Sequence, residues 1–322
     1  MAPNRPFPVD PVLTALAIGY RNPAYAFIAD DVLPRVQVFG ERFSWTKYPL
    51  EEGFRVVDNR VGRTGRVPRV EFSGSREESA VHDYGLEAPV PISDINEAER
   101  MRTQGLGNFD PEQRAVTGIE DYNQINRELR VARIVQDPAN YPSSQKLALS
   151  GGDQFSDYDN SDPIAVIKEC LESTLVFRPN QVTMGQATWS KLSSHPKLVN
   201  AVKGNLTSEG MITKQQFVDL FELRKLNIGT AYMDAAKFGQ AADVQRVWGA
   251  DILFQFINPN TLPEQGSVTH GFTAVYGSKI AGSMVDQNVG LEGGKVVRSG
   301  ERVRELIVAP GVSFLLQDAI AA

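Results

Sequence analysis

Four arginines stand three residues apart in one short stretch of the sequence: Arg60, Arg63, Arg66 and Arg69. No acidic residue lies between Asp58 and Glu71, so no carboxylate is interleaved with these side chains. A guanidinium group binds carboxylates and phosphates through paired hydrogen bonds as well as through charge. The stretch therefore indicates a surface that binds anionic groups, either on another protein segment or on nucleic acid.

The sequence around these arginines indicates an extended β-hairpin or a mobile tip. Gly62, Gly65 and Pro68 interrupt the series, which argues against a helix face. Residues 41–90 contain eight Lys plus Arg and nine Asp plus Glu. A two-stranded hairpin is at best marginally stable alone in water, and this one has little apolar alternation at its tip. We therefore expect the hairpin to lie on another surface.

Three interpretations of the arginines stay open. The first is a solvated loop without a role, and the second is an arm whose basic tip pairs with acids of a neighbouring subunit. The third is a nucleic-acid contact, which is disfavoured because no aromatic residue stands among the arginines to stack on bases. The net charge of −6, from 33 Lys plus Arg and 39 Asp plus Glu, also disfavours a protein that wraps nucleic acid.

An acidic loop resembles the start of an EF-hand calcium site. Asp157, Asp159 and Ser161 occupy its first, third and fifth positions. The sixth position is Asp162 instead of glycine, and the twelfth is Lys168 instead of glutamate. We expect no metal site here, and we interpret the loop as leading into a helix capped by Asp162.

The residues that could act as nucleophiles or bases form no recognisable site. His82, His195 and His270 lie far apart, and His195 precedes a proline that is typical of a helix start, so it is interpreted as a polar cap or surface residue. The serine–lysine pairs at 190–191 and 278–279 are adjacent, whereas a dyad on one helix face needs a spacing near three. Nucleotide-binding, nucleophile-elbow, HExxH and CxxC motifs are absent. We expect no catalytic, cofactor-binding or metal-binding residue, and no enzymatic activity.

The composition predicts a soluble protein of a reducing compartment. Cys170 is the only cysteine, so an internal disulfide is excluded and a small buried residue is expected. No apolar run approaches the roughly 18 residues that a membrane helix needs. The proline-rich amino terminus does not resemble a signal peptide.

Residues 1–40 predict an amino-terminal arm. A weak helix over residues 11–20 is followed by apolar sequence too dense for a free linker and too short to bury itself. Such a segment is expected to lie on another domain or on another subunit.

The clearest helix is predicted over residues 110–136, after a connection over 91–109. Asp110 and Pro111 are a typical cap and first residue, and apolar residues recur at three- and four-residue steps up to Val135. At 1.5 Å per residue the helix is about 40 Å long. We expect a spine that lies along one side of a sheet. The face opposite its apolar stripe carries Glu120, Asp121, Gln124, Arg127, Glu128 and Arg130.

The second half mixes helices and strands without a βαβ rhythm, which indicates an α+β fold. Helices are predicted after the caps Asp162 and Thr213. Strands are predicted over 223–235, 247–260, 271–277 and 301–316. The last is interpreted as one strand that runs from a sheet edge into the core. Residues 177–203 read as a short strand, a glycine break and two helical segments, with Trp189 packed in the core.

Several segments of the second half are similar to the axial domain of tailed-bacteriophage major capsid proteins with the Hong Kong 97-like fold. They are QVTMGQATWSKLSSHPKLVNAVKG from residue 181, LNIGTAYMDAA from 226, VWGADILFQF from 247 and FTAVYGSKIAG from 272. RVRELIVAPGVSFLL from 302 resembles the return of that family to its peripheral domain. The order of arm, charged hairpin and spine helix also resembles the family.

The resemblance implies a division into five parts: an amino-terminal arm (1–40), an extension loop or β-hairpin (41–90), a peripheral domain (91–160) with the spine helix 110–136, an axial domain (161–295) and a carboxy-terminal return to the peripheral domain (296–322). It also implies self-assembly into hexamers and pentamers of an icosahedral virion shell. Such a shell encloses double-stranded DNA without sequence-specific binding or a membrane. On this interpretation Arg60, Arg63, Arg66 and Arg69 contact acids of an adjacent subunit.

The resemblance leaves further partners and alternatives open. A helical scaffold segment does not precede the arm, so we expect a separate scaffolding protein, or removal of such a segment, together with a portal and a decoration protein as further partners. Synthesis is expected in the bacterial host cytoplasm. Lysine–asparagine crosslinking is not expected, because Lys47 is the only lysine in residues 41–90 and no matched pair can be placed. The alternatives are an encapsulin-type compartment shell and, less favoured, a soluble enzyme.

Overall fold

The computed structural model describes residues 7–21, 27–47, 55–63, 65–71, 74–174, 176–204, 209–237, 239–259 and 268–321. Within these ranges the helices are α1 (Pro11–Gly19), α2 (Ala29–Val32), α3 (Ile92–Thr103), α4 (Pro111–Val135), α5 (Pro163–Glu172), α6 (Gln186–Ser193), α7 (Pro196–Lys203) and α8 (Lys214–Leu220). Short 3₁₀ turns lie at Pro138–Asn140, Ser143–Gln145, Gly151–Asp153 and Pro310–Val312.

The strands of the described chain fall into two large sheets and two small hairpins. They are β1 (Arg35–Val38), β2 (Arg42–Lys47), β3 (Ser75–Ala80), β4 (His82–Pro91), β5 (Lys146–Ala148), β6 (Gln181–Gly185), β7 (Lys225–Gly229), β8 (Tyr232–Asp234), β9 (Val244–Arg246), β10 (Ile252–Gln255), β11 (Gly271–Tyr276), β12 (Ile280–Asp286), β13 (Gly294–Ile307) and β14 (Ser313–Gln317). The hairpins are β2–β3 and β8–β9.

The first large sheet is built around β13, which has 14 residues. Its order is β1-β11-β13-β12, and β4 pairs with the other side of β13. The arm contributes β1, which runs parallel to β11 at the end of this sheet. The amino-terminal arm is therefore an integral part of a sheet that consists mostly of strands from the last fifty residues or so of the chain.

The second large sheet has the order β5-β14-β10-β6-β7. Every residue of β6 and β10 is buried, as is typical of strands covered on both faces. Helices α5 to α8 contribute Ile167, Trp189, Leu198 and Phe217 to the core against this sheet. This packing confirms the core position predicted for Trp189.

The predicted helix starts are confirmed, because each cap makes its backbone hydrogen bonds. Asp110 accepts from the N–H groups of the second and third residues of α4, and Asp162 does the same for α5. Thr213 and Gln216 form a reciprocal capping box at the start of α8. The positions of these helix starts are thus set by local side chains.

The charged face of α4 was predicted wrongly. Glu120, Arg127 and Glu128 are buried, whereas Tyr122 of the supposed apolar stripe is 65% exposed. The helix lies between the first sheet and the arm, so contacts surround more of it than one apolar stripe would cover. The apolar periodicity of the sequence identifies only one of the faces of α4 that are covered by packing.

Two other elements differ from expectation. Residues 92–103 form α3 instead of a connection. The sequence of this helix has little apolar periodicity, and only Ala98 is fully buried. Residues 301–316 form two strands in different sheets, because the 3₁₀ turn at Pro310 separates β13 from β14. Proline has no N–H for a strand ladder.

The strands do not divide between the sheets at the predicted domain boundaries. β11 and β12 lie within residues 161–295 but belong to the first sheet, and β14 belongs to the second sheet. The five-part division stays a prediction. Among the described helices, none is both long and apolar enough to cross a membrane.

Candidate assembly site

The arginine segment lies between β2 and β3, outside any helix or strand. Arg60, Arg63, Arg66 and Arg69 are all exposed. The ion pairs that the structure describes all involve other residues, so these guanidinium groups have no carboxylate partner in the described part of their own chain. The local contacts are a hydrogen bond from the Arg60 N–H to Asp58 (3.0 Å) and one from the Gly65 N–H to the Gly62 carbonyl (2.9 Å).

The same segment exposes apolar side chains. Val56 is 98% exposed, and Val61, Val67 and Val70 are also exposed. A segment that carries free cations and unburied aliphatic groups offers both kinds of contact that a partner surface uses. Its own chain supplies neither kind in the described ranges.

The base of the β2–β3 hairpin is fixed to the first sheet. Phe43 is buried, and the ring of Trp45 meets Phe272 of β11 edge to face at 6.5 Å. At the base of the hairpin, Arg302 of β13 forms ion pairs with Glu41, which precedes β2 (3.1 Å), and with Asp83 of β4 (3.3 Å). The structure therefore anchors the hairpin strands and exposes the described residues between them. The side chain of Lys47 lies outside the described residues.

The described part of the arm lies on the first sheet and on α4 of its own chain. The Asp10 N–H donates to the Ala281 carbonyl (3.0 Å), and Thr14 exchanges two hydrogen bonds with Ala281. Leu13 and Ala17 are buried beside the first half of α4. Residues 1–6 and 22–26 of the predicted arm lie outside the described ranges.

The buried charges of α4 join the arm, the helix and the first sheet. Glu120 accepts from Lys279 Nζ (2.5 Å) and from Ser299 Oγ (2.7 Å). Arg127 pairs with Asp30 of the arm and donates to Thr273 Oγ1 of β11 (3.3 Å). Each buried charge therefore has a partner, which is the condition for keeping it in the interior.

Two acids of this network have lowered pKa values. Burial alone raises the pKa of Asp30, but the guanidinium groups of Arg127 and Arg35 hold it below its ordinary value. Burial likewise opposes ionisation of Glu301, and Arg35 at 2.7 Å lowers the pKa of that carboxyl below its ordinary value. The arm is thus held on β13 and α4 by ionised pairs at neutral pH. The pattern of residue types did not reveal this network.

His195 caps α7 and takes part in a buried hydrogen-bond chain. Its Nδ1 accepts from the Lys197 N–H (3.3 Å), so the proton lies on Nε2, which donates to Ser161 Oγ (2.9 Å). Ser161 in turn donates to the Asp157 carbonyl (2.5 Å). Burial lowers the pKa of His195. The predicted capping role is confirmed.

The other candidate residues do not come together. His82 is exposed beside Arg304, and His270 is completely buried. Cys170 is buried, as predicted, and burial raises the pKa of its thiol to about 12. The carboxylate of Asp157 accepts hydrogen bonds from the backbone N–H and the side-chain amide of Asn160 within a turn. In the described part of the chain, no group of His, Cys, Asp and Glu side chains could hold a metal ion.

Gly229 provides space for the ring of Trp248, whose Nε1 donates a hydrogen bond to the buried Glu128 of α4. A Cβ at Gly229 would lie 1.9 Å from Cδ1 of Trp248, a completely buried side chain. We predict that Gly229→Ala lowers the free energy of unfolding by about 2–3 kcal/mol, since Trp248 must move in a packed core. Urea unfolding of the subunit measures this change. Gly249→Ala is the matched control, because nothing lies within 4 Å of its added Cβ. Equal stability of the two variants would contradict the prediction.

Comparison with known proteins gives the following similarities. The chain is 39% identical to the major capsid protein of Pseudomonas phage JBD67 over 319 residues, which is 99% of each chain. It resembles a solved phage-related protein of Bordetella bronchiseptica with a TM-score of 0.73 and 22% identity, covering 98% of both chains. It resembles the solved capsid of Myoviridae phage XM1 with a TM-score of 0.52 and 12% identity, and the match covers 92% of this chain and 93% of that chain. A comparison with protein-family models found no match.

Proposed function

This chain belongs to the family of phage major capsid proteins, and we propose that its exposed segments are the contacts through which copies of it form a closed shell. It has the α+β Hong Kong 97-like capsid fold and is a structural protein of the virion, not an enzyme. Its relative of 39% identity along almost the whole chain is a phage major capsid protein, which disfavours the encapsulin-type alternative.

We propose hexamers and pentamers of this subunit in an icosahedral shell around double-stranded DNA. The observation that carries the proposal is the exposed segment between β2 and β3, whose cations have no partner in the described part of the chain. A surface of this kind is explained by a neighbouring subunit. The net charge of −6 also keeps the subunit from binding DNA strongly without sequence preference.

We propose that Arg60, Arg63, Arg66 and Arg69 pair with exposed acids of the adjacent subunit. The Gly65 N–H donates to the Gly62 carbonyl (2.9 Å), so the chain turns within the series and the four guanidinium groups do not form one straight row. Each of the four can pair with a separate carboxylate. An isolated surface pair contributes little, but several pairs at one contact add up.

The remaining partners are proposals that rest on the family alone. They are a separate scaffolding protein, a portal and a decoration protein, with synthesis in the bacterial host cytoplasm before incorporation into the virion. The five-part division into arm, extension loop, peripheral domain, axial domain and return segment is proposed on the same ground.

The direct test is an image of the purified protein. We expect capsomers or closed shells in negative-stain electron microscopy, because buried contacts between copies compensate the exposed apolar groups. Sedimentation across a range of salt and protein concentrations accompanies the images. A chain that stays monomeric under all these conditions would contradict the proposed function. Small shells that form without scaffold around an enzyme cargo would favour the encapsulin alternative.

A further inference from the structure

One buried carboxylate on α4 receives three N–H donors from two distant parts of the chain. Oε1 of Glu128 accepts from the backbone N–H of Ile28 (3.0 Å) and from Nε1 of Trp248 (2.6 Å). Oε2 accepts from the backbone N–H of Ala29 (2.9 Å). Ile28 and Ala29 belong to the arm, whereas Trp248 precedes β10 of the second sheet. Three parts of the subunit therefore meet at this side chain.

The donor set matches an ionised carboxylate. Glu128 is completely buried, and no lysine or arginine forms an ion pair with it in the described ranges. Burial raises the pKa of Glu128, and the three N–H donors act against that shift. A carboxylate has only acceptors, so all three donors can be satisfied at once. A glutamine amide would leave its NH₂ group facing one of the N–H donors.

The arm contributes backbone groups to this contact, and the body contributes a fixed side chain. The two arm donors are the N–H groups of Ile28 and Ala29, at the start of α2, and the next apolar residues, Val32 and Leu33, are fully buried. Trp248 is held against Gly229, where a Cβ would overlap its ring. Neither donor group can shift without losing other packing. The contact therefore defines one position of the arm relative to both sheets.

We propose that Glu128 is a positioning residue for shell assembly, which fixes the point where the arm joins the body of the subunit. This inference rests on the proposed function, because the arm matters only if its position determines contacts between copies. Glu128 acts through the arm and is not itself at the subunit surface. Arg127 and Arg130 hold the neighbouring arm and strand residues, but Glu128 alone of these three binds arm backbone N–H groups.

The test compares Glu128→Gln with Val131→Ala in the full-length protein. Val131 is a completely buried aliphatic residue of the same helix, next to the same core, so its truncation destabilises the subunit without removing an arm hydrogen bond. Hydrogen exchange of a peptide that covers residues 27–33 reports arm anchoring. The yield of closed particles reports assembly. It is measured for each variant at the same distance below that variant's own unfolding midpoint. Glu112→Gln controls for the loss of one charge, because it removes a carboxylate of the same helix that pairs with Lys295 of β13 (2.5 Å).

We expect Glu128→Gln to speed exchange at Ile28 and Ala29 by about tenfold or more, the equivalent of one lost charge-assisted hydrogen bond. We expect it to lower particle yield well below that of Val131→Ala, while Glu112→Gln retains both properties. Unchanged exchange in Glu128→Gln would overturn the proposal, and so would equal particle yields for the two destabilised variants. If the wild-type chain formed no particles, the proposed function would fail, whereas faster exchange in Glu128→Gln would still support arm anchoring.

Discussion

Replacing Arg60, Arg63, Arg66 and Arg69 together by serine is expected to abolish most particle formation while each subunit stays folded. These side chains make no ion pair within the described part of their own chain, so their loss removes no interaction that stabilises the subunit. Exposed ion pairs contribute about 0.5 kcal/mol each, so four pairs contribute about 2 kcal/mol per contact. That corresponds to a roughly 30-fold weaker association at every such contact.

The control for this quadruple variant has the same change in charge. Arg100, Arg102, Lys168 and Lys214 are exposed cations outside the segment, and their replacement by serine also lowers the net charge by four. Particle yield from negative-stain images and sedimentation is compared at several salt concentrations, and circular dichroism verifies folding. The wild-type yield should fall with added salt, because salt screens exposed pairs. Equal yields from wild type and the segment variant would exclude the proposed role.

Acidification below pH 6.5 is expected to destabilise the subunit through His270. Burial lowers the pKa of His270 to about 3, so the folded protein keeps this ring neutral in mildly acidic solution. The unfolded chain binds the proton near pH 6.5, so stability is complete above that value and is lost as the pH falls towards 3. At pH 5 the loss from this residue is about 2 kcal/mol, at about 1.36 kcal/mol per pH unit.

His270→Phe isolates this contribution. The ring of His270 stacks on Tyr141 at 6.0 Å, and its two nitrogens have no hydrogen-bond partner among the described residues, so phenylalanine fits the site chemically. We expect urea unfolding of the unassembled variant to be less sensitive to pH between 7.5 and 5 than that of wild type. His82→Phe, at an exposed histidine, is the matched control variant. A His270→Phe variant with wild-type pH dependence would contradict this account.

The local features of the fold could be predicted from the sequence because they depend on neighbouring residues. Asp110, Asp162 and Thr213 cap their helices through hydrogen bonds two or three positions away, and these starts were predicted correctly. The α+β class followed from the irregular order of elements. In contrast, α3 has almost no apolar periodicity and buries only Ala98 fully, so the pattern that marked the other helices was missing from its sequence.

The buried network of α4 shows why the rest could not be predicted. Glu120, Arg127 and Glu128 are charged residues, and charged residues are rarely buried unless they are paired. Their partners are Lys279, the pair Asp30 and Thr273, and the arm backbone with Trp248, all remote in sequence. One signal was present: Val131, Ala132 and Val135 lie beside Leu129 and widen the apolar arc in the second half of the helix.

For the candidate site, the spacing predicted a cationic segment that is not a helix face, but it left open what the segment binds. The interval of three and the interleaved glycines predicted an extended cationic segment, and the structure shows the arginines exposed outside any helix or strand. Their proposed partners belong to another copy of the chain. A pattern within one sequence cannot identify such a surface.

The parallel pairing of β1 with β11 has a consequence for the timing of folding. Arg35 lies opposite Thr273, so this ladder joins residues that are synthesised at opposite ends of translation. The central strand β13 comes later still, and β4, β11 and β12 all pair with it. A topology of such high contact order folds slowly, after most of the chain has left the ribosome. A nascent subunit therefore lacks the finished sheet on which its arm is placed until β13 has been synthesised, and it is not competent for shell building before that point.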